Sequence, residues 1–283
     1  MLRKILIPLD ASKYTPIAVR VASQIANGVQ AEAGRDIVKL SGLGIVDLDQ
    51  LPTGRFASMV PRDEIVAKAR EEVESFMEEF QEIAVGEQVP EENLETHYME
   101  GSPFSIIMHE HIFSDLVVIG EECSFLPNNR DYITLENIFH WSSRPILITR
   151  EAPLTIDKIV LAMDGTASSS RMLYSFLHIN PFPKAKVVLT ISAQEEEAHD
   201  LGNFFDRMSQ FITSYGFDVE KKRLSGDLLE ELPALVTKEK AGAVAMGVHN
   251  EHFIERIRKP MHIGGSAVEA LLEKTNALLF TAH

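Results

Sequence analysis

The chain has 283 residues, 45% of them hydrophobic, with 27 Lys+Arg against 42 Asp+Glu and a formal net charge of −15. That length fits one large domain or two ordinary ones, and that charge repels polyanions, which excludes a generic basic-patch binder of nucleic acid or anionic lipid. The single cysteine, Cys123, excludes an intramolecular disulfide and suits a reducing cytosol, so a cytoplasmic setting is expected.

The chain opens on MLRKILIPLDAS. Its apolar run is shorter than the roughly 7–15 residues of a signal sequence, and no later run approaches the about 18 apolar residues of a membrane span. Strands are predicted near 3–9, 37–46, 94–99, 115–120 and 145–149, with helices near 14–28, 62–85, 103–113 and 134–142. SGLGIVDLDQLPTGRFASM (Ser41–Met59) is Gly-rich and reads as a long strand-to-helix loop, either a lid or a surface cover. The helix that follows is strongly acidic, which marks a solvated face. After the linker EAPLT (Glu151–Thr155), strands are predicted near 157–163, 186–192, 217–224, 242–247 and 277–281. Helices are predicted near 167–178, 195–215, 227–240 and 265–275. Strands that are apolar at nearly every position are buried on both faces, which implies parallel sheets covered by helices.

The chain is written twice. KILIPLDAS from Lys4 matches KIVLAMDGT from Lys158, so that Asp10-Ala11-Ser12 corresponds to Asp164-Gly165-Thr166. EGSPFSIIMHEHIFSDLVVIG from Glu100 matches SGDLLEELPALVTKEKAGAVAMG from Ser225, each a turn, a helix and an apolar strand ending in Gly120 or Gly247. RPILITR and NALLFTA close the two halves. A single repeat of this length is domain duplication rather than a solenoid. The expected domains are residues 1–150 and 156–283, each a doubly wound α/β unit.

These residues, in this order and repeated, resemble the universal stress protein domain, and the whole chain resembles a tandem universal stress protein. The resemblance implies two five-stranded parallel sheets of the adenine nucleotide alpha hydrolase-like type. It also implies pairing through the last strand of each half, giving a pseudo-dimer within one chain; a further homodimer is left open. In nucleotide-binding members of that family the fourth strand is followed by a loop of pattern G-x2-G-x9-G-[ST]. Its glycines let the backbone approach phosphates, and its Gly-Ser sits at a helix N-terminus, where backbone N–H groups and the helix dipole favour an anion.

The second half keeps much of that pattern in GVHNEHFIERIRKPMHIGGS. Gly247 ends the strand, Asn250 stands for the middle glycine, and Gly264, Gly265 and Ser266 open the last helix. The stretch is about four residues longer than the family pattern and carries Arg256, Arg258 and Lys259, read either as phosphate contacts or as solvated loop charges. By the same resemblance an adenine nucleotide, ATP or AMP, with Mg left open, lies near Asp164, Gly165 and Thr166 and against Ile191 and Ser192 at the end of the second strand. In the first half Glu121 and Glu122 follow Gly120 and no Gly-Ser precedes the helix, so that pocket is expected to be degenerate.

The remaining candidates carry blander readings. Asp10 and Asp164 also suit turn or helix-cap positions. His249, His252 and His262 lack the Cys or carboxylate pattern of a zinc site. Cys123 follows two glutamates, which favours an inert thiol. His109 and His111 fall on different helix faces. Trp141 is expected to pack between the last helix and strand of the first half. No Walker lysine, nucleophile elbow or zinc signature is present, so no catalytic residues are assigned and at most a weak ATPase is expected. The leading reading is a regulatory stress-response protein that binds an adenine nucleotide in its second half. The alternative is a nucleotide-independent interaction module with an unidentified protein partner.

Overall fold

The computed structural model describes residues 2–34, 38–48, 61–122, 142–150, 156–192, 203–226, 228–247 and 267–282. They fall into two compact units, Leu2–Arg144 and Pro145–His283.

In the first unit the strands are β1 (Lys4–Leu9), β2 (Lys39–Asp47), β3 (Leu94–Gly101) and β4 (Leu116–Gly120). They lie in the order β3-β2-β1-β4, all parallel. The helices are α1 (Thr15–Ala33), α2 (Arg62–Gly86) and α3 (Pro103–Glu110). β1 and β4 are buried along almost their whole length, as their apolar runs require, whereas β3 (LETHYMEG) is half-buried and polar because it is the edge of its sheet. Pro16 sits in the first turn of α1, where its missing N–H costs nothing, and Gly34 ends the helix at φ +67°.

The Gly-rich stretch after Lys39 is strand as far as Asp47, in line with the strand predicted near 37–46, so the loop read from Ser41 begins only beyond it. A Cβ on Gly42 would stand 2.9 Å from the Phe80 ring, and one on Gly44 would stand 2.7 Å from Val73 and 2.9 Å from the Met77 sulfur. The glycines therefore let α2 lie directly on β2. Residues 49–60, the rest of the stretch read as a lid or a surface cover, lie outside the described residues, as do Cys123, Trp141 and nearly all of the expected helix at 134–142. α2 itself buries only Val73, Phe80 and Ala84, so its acidic surface is a solvated face. His111, just after α3, is buried. Its Nδ1–H donates to the Met108 carbonyl at 2.8 Å, and its Nε2 accepts the Ser143 N–H at 3.1 Å. Burial holds its pKa below the usual imidazole value; its role is to fasten the turn at Ser142–Arg144.

In the second unit the strands are β5 (Ile146–Thr149), β6 (Lys158–Met163), β7 (Lys186–Ser192), β8 (Val219–Leu224), β9 (Ala243–Met246) and β10 (Leu278–Thr281). The described helices are α4 (Ala167–Ile179), α5 (Phe204–Ser214), α6 (Leu228–Glu239) and α7 (Ala267–Lys274). β10, β9, β6, β7 and β8 follow one another in parallel. β5 pairs antiparallel with β10, Ile148 opposite Leu279. The five strands of the second repeat thus form the expected parallel sheet; it differs from expectation only in not being separate, because β5 joins its edge. The closing strand of the first repeat belongs to the second compact unit, where it lies along the closing strand of the second repeat. Phe176 of α4 anchors this core, edge-on to Phe280 at 5.5 Å and 5.7 Å from Phe217.

The lysine that opens each repeat has a structural purpose. Lys4 Nζ donates to Glu95 at 2.8 Å, and Lys39 joins the same carboxylate at 2.5 Å. Lys158 Nζ donates to Glu239 at 2.7 Å, and Lys222 joins it there. The two carboxylates come from different elements, β3 in one unit and the end of α6 in the other. Their paired lysines lower both carboxyl pKa values to about 2.

Candidate functional site

In the second unit the strand order turns at β6, with β9 on one side and β7 on the other. In chain order β6 is followed by β7 on one side and β9 by β10 on the other, an arrangement that places a crevice beyond the carboxyl ends of the strands. Asp164 follows β6 at this point. Its Oδ1 accepts the Thr166 N–H at 2.9 Å and the Thr166 hydroxyl at 2.6 Å. Gly165 lies between them at φ +77°, a conformation that other residues rarely adopt. Thr166 is the N-cap of α4, its Oγ1 accepting the Ser169 N–H at 3.2 Å. Asp164-Gly165-Thr166 is therefore a turn that starts a helix, in which Thr166 is the cap and Asp164 takes the turn position. Thr166→Ala should cost about 1–2 kcal/mol, because the cap and the carboxylate's partner are lost together; urea unfolding reads this.

A cleft lies behind that turn. It is lined by Asp164, Thr190, Ile191, Gly247 and the ends of β6 and β9, and walled by Leu224, Leu228 and Leu232 of β8 and α6. Counted out to its open mouth it holds about 360 Å³. Asp164 is the only charged group among its described lining residues. The remainder is almost entirely aliphatic or thioether, which suits a flat apolar group entering edge-first.

Gly247 is set by packing. A Cβ there would lie 2.5 Å from the Ser169 backbone nitrogen and 2.8 Å from the Ser168 carbonyl carbon, in the first turn of α4. Gly120 repeats this in the first unit, where a Cβ would stand 2.5 Å from Tyr14 Cβ. The glycine ending this strand in each repeat thus has a local reason that owes nothing to a ligand.

Of the candidates named from sequence, the structure gathers Asp164, Ile191 and Gly247 around one cleft, with Gly165 and Thr166 in the adjoining turn. Ser192 is the last residue of β7. Asn250, Arg256, Arg258, Gly264, Gly265 and Ser266, with Lys259 and the three histidines of that stretch, lie outside the described residues. In the first unit Asp10 is buried and turned onto its own helix, its Oδ1 accepting the Ser12 N–H at 3.0 Å and the Thr15 hydroxyl at 2.5 Å.

Sequence reasoning misses Thr190 and the leucine wall. Thr190 sits inside KVVLTIS, where one polar residue interrupts an apolar strand. That interruption is a signal, but it does not tell a buried hydroxyl from a solvated one. The wall residues read from sequence only as the apolar stripe of a helix.

No family model matches the sequence, and no curated protein matches it. Solved structures do. A universal stress protein from Archaeoglobus fulgidus DSM 4304 superposes with a TM-score of 0.68 at 15% identity, covering 99% of this chain and 95% of that one. A functionally unknown protein from Pseudomonas aeruginosa PAO1 superposes with a TM-score of 0.56 at 15% identity, covering 99% and 92%. At that identity the likeness concerns architecture, and it spans both repeats. The chain has the universal stress protein fold, in two tandem copies.

Proposed function

We propose that the chain is a regulatory stress-response protein that binds an adenine nucleotide, ATP or AMP, in its second half. The observation that carries this reading is the cleft at the turn of strand order. It has a largely apolar lining, a carboxylate at its rim, and the N-terminus of α4 beside it. In this reading the base enters between β7 and α6, against Ile191 and Ser192, and the ribose lies near Asp164. The phosphates reach the stretch between Gly247 and α7, where Gly264, Gly265 and Ser266 offer backbone N–H groups and a hydroxyl, and Arg256 and Arg258 offer charge. These cations matter because the described lining contributes only a negative group. A magnesium ion would accompany the phosphates and neutralise part of their charge. Asp164, whose Oδ1 is already engaged by Thr166, is the carboxylate among the described lining residues that could hold it.

The reading includes domains at 1–150 and 156–283, a cytoplasmic setting, and a first-half pocket that takes no nucleotide because Glu121 and Glu122 stand where phosphate would lie. It also includes a pseudo-dimer of the two halves, supported by the ladder between their closing strands. Binding is the signal; hydrolysis is slow or absent. No described helix is long and apolar enough to cross a membrane.

A second reading, a nucleotide-independent interaction module, is favoured by the absence of a cation among the described residues that line the cleft. Calorimetry on nucleotide-stripped protein separates the two. Binding of ATP or AMP is expected, together with its loss in Gly265→Val while the thermal transition is retained. Absence of heat and of competition from ATP, ADP and AMP at millimolar concentration would establish the interaction module instead.

A further inference from the structure

Thr190 is 1% exposed in the middle of β7, and its hydroxyl has no hydrogen-bond partner among the described residues. β7 is flanked on both sides by parallel strands, in which Thr190 stands opposite Ala162 of β6 and Lys222 of β8. Leu224, two residues beyond Lys222, shares that face and lines the cleft with Leu228 and Leu232 of α6. The register therefore turns the Thr190 side chain into the cleft, towards α6. Lys222, its neighbour on the same face, is already held by Glu239 and Glu220.

Packing alone does not account for a threonine here. Val188, two residues earlier and on the same face, is fully buried and has the same shape. A valine at 190 would fill the same space without burying an unsatisfied hydroxyl, which is costly in an apolar setting. Ser41 and Thr281 also bury hydroxyls with no partner among the described residues, but neither lines this cleft.

We infer that Thr190 is the base-reading residue of the cleft, its hydroxyl pairing with a ring nitrogen or amino group on the edge of a heteroaromatic base. This rests on the nucleotide reading above and adds an orientation to it. A hydroxyl both donates and accepts, so it matches the mixed edge of a purine. A phosphate cannot take that place, because the aliphatic floor would strip its water and offer no cation. The base goes in and the phosphates stay out.

The test uses the full chain, stripped of nucleotide, as wild type, Thr190→Val and Thr190→Ser, each titrated with ATP and with AMP. Thr190→Val should bind both about tenfold more weakly, the effect of one lost buried hydrogen bond. Thr190→Ser, which keeps the hydroxyl, should stay within about threefold of wild type by the same reckoning. Without ligand, Thr190→Val should melt no lower than wild type, since it removes only an unsatisfied group. Equal binding by the valine variant overturns the base-reading role and leaves nucleotide binding intact. A loss as large in the serine variant assigns the effect to shape and also overturns it. If wild type binds neither ATP nor AMP, the nucleotide reading itself falls, and this inference falls with it.

Discussion

Gly247→Ala is expected to destabilise the chain by about 3 kcal/mol, at the upper end for adding one methyl to a packed interior. The methyl would meet only backbone, the Ser169 nitrogen at 2.5 Å and the Ser168 carbonyl carbon and Ser169 Cα at 2.8 Å. A side chain could rotate away from such a contact, but the first turn of α4 cannot. It is held by the Thr166 cap and by Asp164 behind that. Relief requires β9 or α4 to move, and both form the rim of the cleft. Urea unfolding should show a lower midpoint with an unchanged slope. Gly86→Ala is the control. Gly86 ends α2, and a Cβ added there would meet nothing within 4 Å. Its substitution should be neutral or slightly stabilising. Wild-type stability in Gly247→Ala would show that the strand end and helix start yield more readily than their hydrogen bonds imply.

Acid should weaken the fold between about pH 4.5 and pH 2 through Glu95 and Glu239. Both carboxyls titrate near 2 in the folded chain, below the ordinary 4.5, because each accepts hydrogen bonds from two lysines. In that interval the unfolded chain binds more protons than the folded one. The stability these groups contribute is complete above pH 4.5 and is lost as the pH falls through their folded values. Water screens both sites, since Glu95 is 29% exposed and three of the four lysines are 23–29% exposed. A contribution of about 1–2 kcal/mol from each carboxylate is therefore expected rather than the full value of the shift. Glu239→Gln should lose its share at neutral pH and flatten its part of the acid dependence. Urea midpoints at pH 7, 4.5 and 3 for wild type and variant check this. Parallel pH profiles for the two proteins would remove Glu239 from the account.

Much of the architecture is legible in the sequence because two signals repeat at fixed places. The buried runs KILIPL and KIVLAM can only be central strands, and a glycine at the end of β4 and beyond β9 marks the same junction twice. What stays hidden depends on partners distant in sequence. SGLGIV falls in both a predicted strand and a predicted loop because its glycines blur where the strand ends; that Gly42 and Gly44 make room for Phe80, Val73 and Met77 shows only when α2 is laid on β2. The direction of β5 is hidden because nothing in ILIT indicates whether its neighbour runs with it or against it. Asp164 looks like a ligand or a cap from sequence, and the structure gives it a helix to start. Thr190 escapes notice because the significance of a hydroxyl lies in what it fails to touch.

The antiparallel ladder between β5 and β10 also sets how the protein can be dissected. A cut in the linker at 151–155, where the repeats end, would take β5 away from β10. The backbone N–H and C=O groups of an apolar strand, Leu278–Thr281, would then face solvent as a new sheet edge. Such edges recruit strands from other chains, so a second repeat produced alone from residue 156 would tend to self-associate or precipitate. A cut before Pro145 keeps the ladder intact. Keeping β10 covered therefore requires that Pro145–Arg150, from the end of the first repeat, stay with the second.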